Sequence, residues 1–278
     1  MTETTESSSS NTNINNEDSI PNPGSSLIYF IVVTFAFIFF TIFSLYSGTD
    51  INSIQLNSNN NVFNLIYIIL LIVGSYIINL NIAKALCDTN NIQWNNIFFI
   101  TVLPWIIIFG ILYFLLELFP GWINPFSNTI GYLVVKLMGA DKIIDSLLNN
   151  EGAGTNNDLV KAINNLKKNK SKLINEIDIE NNNFEKFVEK LSSESIFNLQ
   201  GAADEIMKNP NIITLYKLIN IKHLIGKMIW YILAGILIAS ISYNYIINIT
   251  CEKTLDEIRR EYEEIIENNN ENNNENNN

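Results

Sequence analysis

Apolar and polar residues come in blocks along this chain. Residues 27–46, 62–83, 97–116 and 228–251 form four apolar runs, and none contains Asp, Glu, Lys, Arg or His. At 1.5 Å rise per residue, a run of about 20 residues crosses a hydrocarbon layer of about 30 Å. The pattern predicts four transmembrane helices. The stretch before the first run is acidic (Glu3, Glu6, Glu17, Asp18) and lacks Lys and Arg. That run is also longer than the core of a cleavable signal, so it reads as a retained span.

The period changes between the third and fourth runs. Residues 141–150 (DKIIDSLLNN) predict a short helix closed by Gly152 and Gly154. Thr155 and Asp158 form a capping pattern ahead of Leu159, Ile163 and Leu166. Phe184, Phe187, Val188 and Leu191 recur at helical spacing, and Ile196, Leu199, Ala203 and Ile206 continue that period. Pro210 opens another helix that runs toward the fourth span. No strand-like alternation and no Asn-Gly hairpin appears. The expected fold class is an all-α membrane protein with about four transmembrane helices and a small helical domain inserted between spans three and four. Its divisions are residues 1–26, a disordered polar tail; 27–139, three spans plus a short interfacial helix; 140–227, the helical extramembrane domain; 228–251, the fourth span; and 252–278, an acidic helix and an Asn-rich disordered tail.

The spans carry polar and small residues at helical spacing. Ser75 and Asn79 share a face of span two, and Ser240, Asn244 and Asn248 form a stripe down span four. The stripe admits two readings: hydrogen bonding between helices inside a bundle, or the lining of a small channel or carrier. The lack of ionisable residues inside the spans argues against transport. Gly235 and Ala239 make a small-xxx-small pair that lets helices approach closely, and they are the expected face for an oligomer. Pro104, inside span three, is expected to kink it.

Charge and composition narrow the partners. The net charge is −11, which argues against a nucleic-acid partner. Asn occurs 45 times and Arg only twice, a bias expected of an AT-rich genome. Thirteen of the 17 Lys and Arg residues lie between spans three and four, with Lys217, Lys222 and Lys227 close to span four. The positive-inside rule then places that segment in the cytosol and both termini on the opposite side.

Candidate chemistry is sparse. The single histidine, His223, reads as an interfacial polar group, and Asp141, Asp145 and Glu151 read as a solvated face. No phosphate loop, nucleophile elbow or metal-ligand spacing occurs, so the chain is not expected to be an enzyme and no cofactor or metal is expected. Cys87 follows span two and Cys251 ends span four. Four crossings bring both to the same side, where they would form a disulfide or remain reduced or lipidated.

The most specified stretch is FPGWINPFSNTIGY, residues 119–132. Pro120 and Gly121 are expected to stop span three, the glycine by freeing the backbone for positive φ. Trp122 and Trp105 suit the headgroup layer. Pro125 fixes a second turn, and Ser127 is the expected N-cap of a short interfacial helix over NTIGYLVVKLMG. On it Ile130, Leu133, Val134 and Leu137 share one face.

Residues 97–139 and 228–248, above all the core Pro125, Phe126, Ser127, Asn128, Gly131 and Tyr132, resemble a family of multi-span membrane proteins of nucleocytoplasmic large DNA viruses, the giant viruses. The resemblance implies a structural membrane protein. Its expected place is the inner membrane of the particle, or the host endoplasmic-reticulum-derived membrane that supplies it. Its implied partners are the lipid bilayer and viral capsid or core proteins. A membrane-remodelling or assembly factor of the infected cell is the second reading, and the channel or carrier the third.

Overall fold

The computed structural model describes residues 24–58, 61–87, 92–149, 157–177, 179, 183–248, 259–260 and 262–263. Most of both expected tails, the Gly152/Gly154 breakers and Thr155 lie outside them; of the helix expected after span four, residues 259–260 and 262–263 are described and helical.

Four helices are long and apolar enough to cross a membrane. They are α1 (Gly24–Ser47), α3 (Asn61–Leu86), α4 (Trp94–Leu118) and α11 (Pro210–Asn248). A short helix, α2 (Ile51–Ser58), joins α1 to α3. After α4 come α5 (residues 120–137), α6 (Ala140–Leu147), α7 (Asn157–Lys168), α8 (Lys170–Glu176), α9 (Asn183–Ser193) and α10 (Ala203–Met207). Among the described residues there is no β-strand, only an isolated antiparallel bridge between Leu148 and Phe197.

The long helices bury residues every four positions. On α1 these are Ser26, Phe30, Thr34 and Ile38; on α4 they are Ile97, Thr101, Trp105 and Phe109. A regular helix turns once per 3.6 residues, so a four-residue row drifts around it. In α4 a π-helical turn over Trp105–Phe109, directly after Pro104, widens the spiral and keeps the row pointing inward. Pro104 has no N–H to give its helix, and the wide turn is the local accommodation. Trp105 therefore belongs to the core rather than the headgroup layer. It is 3% exposed and its ring lies 5.9 Å from Phe30 and 5.7 Å from Phe109.

Gly235 and Ala239 are also committed inside the chain. A Cβ on Gly235 would overlap the Phe30 ring, and Ala239 is buried. The small face expected to hold a second copy instead admits an aromatic ring of α1.

A second core holds Ile144, Leu147, Ile163, Leu173, Phe184, Val188 and Phe197, and it takes in Leu45, Ile51 and Ile54 from α1 and α2. We call this region the head. It lies at the end of the bundle where α1 meets α2, and Lys217 Nζ donates to Tyr46 O there at 2.9 Å. The helical period expected to run through residues 196–206 is broken. Ser195 takes φ 60° and Gly201 φ 127°, both left-handed. Residues 196–198 instead pair with 147–149, through Asn149 N–H to Ile196 O and Asn198 N–H to Leu147 O, both 2.8 Å.

Helix α11 joins the two cores. Its 39 residues would extend about 58 Å, roughly twice a hydrocarbon layer. Ile212, Leu215, Leu218 and Ile219 are buried in the head; Tyr231, Ala234 and Ile238 are buried in the bundle.

Candidate functional site

The chain leaves α4 at Phe119 (φ −127°, ψ 69°) and is helical again from Pro120. Proline suits a first helical position, because its missing N–H would have no partner there and its φ is already set. Pro120 thus starts α5 as much as it ends α4. Gly121 does not take positive φ; it lies in a 3₁₀ turn over Pro120–Ile123. Pro125 does not form a second turn either, but occupies the first turn of the next helical segment, Asn124–Phe126. Ser127 makes no capping bond, because helix already precedes it. Four-residue spacing again explains the local form: Ile123, Ser127, Gly131 and Val135 are buried, and a π-helical turn over Ser127–Gly131 keeps them in one row. The apolar residues Ile130, Leu133 and Leu137 point outward.

That row packs on α11 with almost no space between backbones. A Cβ on Gly131 would collide with the Lys222 carbonyl oxygen, and one on Gly226 would sit 2.7 Å from Ser127 N. Two glycines, one on each helix, permit the crossing. Lys222 seals it. Its side chain is buried, and Nζ donates to Asn128 Oδ1 (3.0 Å), Ile174 O (3.1 Å) and Asn175 Oδ1 (3.4 Å). Asn175 Nδ2 donates back to Asn128 O at 3.2 Å. A buried ammonium is tolerable only when its protons are taken up in this way. One residue of the motif, Asn128, therefore ties α5, α8 and α11 together. Nearby, Tyr132 Oη donates to Asp141 Oδ1 at 3.3 Å. Burial first, and the Asp141 charge second, push the Tyr132 phenol pKa up.

On the outer side of this crossing lies an aromatic group. Trp230 Nε1 donates to Trp122 O at 2.8 Å, and Trp230 meets Phe126 edge-on with centroids 5.3 Å apart. Trp122 stacks on Phe119 at 5.8 Å and is half exposed. Rings with one wet end and one apolar end in this position suit a membrane–water boundary.

On the inner side is a cavity of about 430 Å³ between bundle and head. Asn220, His223, Leu224, Lys227 and Met228, one face of α11, form one wall. Pro120 and Ile123 of the motif also border it, as does Glu117 from the end of α4. Lys227 Nζ lies 5.3 Å from the Tyr113 ring centre and 5.8 Å from that of Tyr231, and no carboxylate among the described residues pairs with it. His223 is thus part of a walled polar site. Sequence reasoning missed the cavity because its walls come from α1, α2, α3, α4, α5, α11 and Ile179, which follows α8. One local signal was present: Asn220, His223 and Lys227 recur at helical spacing.

The polar stripe of span four does not line an interior path. Ser240, Asn244 and Asn248 are exposed on α11; Ser240 donates to Ile236 O and Asn248 to Asn244 O within the same helix. Asn79 differs, being fully buried and donating to Thr101 Oγ1 at 2.9 Å. The three lysines near span four are engaged by the protein, Lys217 at Tyr46, Lys222 at Asn128 and Lys227 over two rings. Cys87 is not a free thiol; Cys251 lies outside the described residues.

No protein-family model, curated protein or solved structure matches this chain.

Proposed function

We propose that this chain is a multi-pass membrane protein with a structural role: its four long helices hold a helical domain, inserted between spans three and four, against one face of a bilayer. The observation that carries this reading is α11, a single helix buried at one end in the head core and at the other in the bundle core. A head carried on a flexible linker would move independently of the membrane. This one shares a helix with the bundle and is clamped to it by the α5–α11 crossing. The resemblance of residues 97–139 to membrane proteins of large DNA viruses points to the inner virion membrane, with the head meeting capsid or core proteins. The charged outer faces of α7 and α9 supply a surface for such a partner.

Proteomics of purified, detergent-stripped particles tests the virion assignment. Recovery in the membrane fraction at structural abundance is expected; presence in infected cells but not in particles would overturn it in favour of an assembly factor. Protease protection of membrane vesicles tests the topology, with the head and the α1–α3 connection expected to be cleaved from the same side.

A further inference from the structure

The cavity between bundle and head lies at a specific depth. Trp230 follows Lys227 by three residues, about one helical turn, and its indole is part of the outer aromatic group with Trp122. If those rings mark the headgroup layer, as tryptophans at membrane boundaries do, the cavity opens at headgroup level. Its chemistry divides in two. Its apolar lining includes Phe37, Leu116 and Met228, which pack in the bundle core, and its polar lining includes His223, Asn220 and Gln55. Lys227 lies among them, its ammonium over the faces of Tyr113 and Tyr231, and the Glu117 charge acts on it without a direct ion pair. Glu117 is exposed at the rim.

We propose that this cavity binds the head of a phospholipid. The phosphate diester is held by Lys227, and the chains leave past Phe37, Leu116 and Met228. Lysine recognises phosphate as a point charge. A primary ammonium on the same head meets Glu117, so phosphatidylethanolamine satisfies both charges, whereas phosphatidylglycerol leaves Glu117 facing an anion. A bound lipid here would touch α1, α3, α4, α5 and α11 at once, joining bundle to head.

The inference rests on the four helices crossing a membrane, and the test separates the two. Membranes carrying the full-length chain are first washed with alkaline carbonate; release of the protein contradicts the membrane reading itself. Retained protein is then purified in detergent, stripped of lipid, and offered phosphatidylethanolamine, phosphatidylglycerol or glycerol 3-phosphate, with bound ligand counted by native mass spectrometry. One phosphatidylethanolamine per chain is expected, in preference to phosphatidylglycerol. Lys227→Met should weaken its binding about tenfold, the effect of losing one charge-assisted contact. Glu117→Gln, on an exposed residue that does not endanger folding, should erase the preference between the two lipids. Equal retention by wild type and Lys227→Met, or an unchanged preference in Glu117→Gln, would overturn the proposal. Glycerol 3-phosphate that displaces the lipid at equal concentration would overturn the lipid assignment and leave a site for soluble phosphate esters.

Discussion

On α1, Phe35, Phe39, Phe40 and Phe43 face outward, each 60–69% exposed, while Thr34 is completely buried and bonded to Tyr67 Oη at 2.9 Å. On α9 of the head the order is reversed: Phe184 and Val188 are buried, and Lys186, Glu189 and Lys190 are exposed. The head thus follows the rule for a protein in water, where removal of apolar surface drives packing. The bundle does not. Its buried set includes Ser26, Thr34, Ser75, Asn79, Thr101 and Ser242, and its outer surface is aromatic and aliphatic. In lipid, apolar side chains gain little by leaving the solvent, and helix association relies on close packing and hydrogen bonds. One chain carries both arrangements, and α11 passes from one to the other within a single helix.

If the two regions meet at a backbone-to-backbone crossing, a side chain inserted there should have the largest effect. Gly131→Val is expected to cost about 3 kcal/mol or more, because the obstacle is the Lys222 backbone and not a flexible side chain. Thermal unfolding in detergent should show it as a lower midpoint and partial uncoupling of head from bundle. A Gly131→Val midpoint within error of wild type would break the comparison at its joint.

The buried ammonium comes next. Lys222→Ala leaves Asn128 Oδ1 and Ile174 O without this donor and should cost about 2 kcal/mol by the same measurement. The exposed Lys136→Ala should change the midpoint little, since surface charges contribute little.

Within the bundle the Asn79–Thr101 bond should be worth less. A double-mutant cycle with Asn79→Ala and Thr101→Val is expected to give a coupling of about 0.6 kcal/mol. A coupling several times larger would mean that polar contacts rather than packing hold the bundle.

The smallest effect concerns acid. Asp50 caps α2, accepting from Ser53 N–H at 2.8 Å, and that bond holds its carboxyl below the usual carboxylate range. A depressed pKa stabilises the fold above the pKa of the unfolded chain, and the contribution is lost as pH falls through the folded pKa. The Ser53 amide resonance should therefore shift as pH falls through the folded Asp50 pKa, below the usual aspartate range, and Asp50→Asn should abolish that titration.

The spans were legible because 20 uncharged residues admit few other structures. The α9 helix was legible from the spacing of Phe184, Phe187, Val188 and Leu191. Trp105 was misread because amphipathic rings favour the boundary in general, whereas a four-residue row ending at Phe109 fixes this ring inward. Ser127 was misread for a related reason. Serine before a helical pattern is the usual capping signal, but the real cue was the recurrence of Ile123, Ser127, Gly131 and Val135, which has small residues where another backbone must approach. Lys222 could not be distinguished from its neighbours: its burial depends on Asn128 and Asn175, 94 and 47 residues away. The cavity needed seven separate segments to be folded first.

Collision of nitroxide labels with paramagnetic reagents, in protein reconstituted into lipid nanodiscs, tests the two-region account most directly. Single labels at Phe39 and Leu237 on the bundle should collide with oxygen and be shielded from an aqueous nickel complex. Labels at Lys186 and Lys190 on the head should behave in the opposite way. Nickel access at Phe39 and Leu237 equal to that at the head positions would contradict the account.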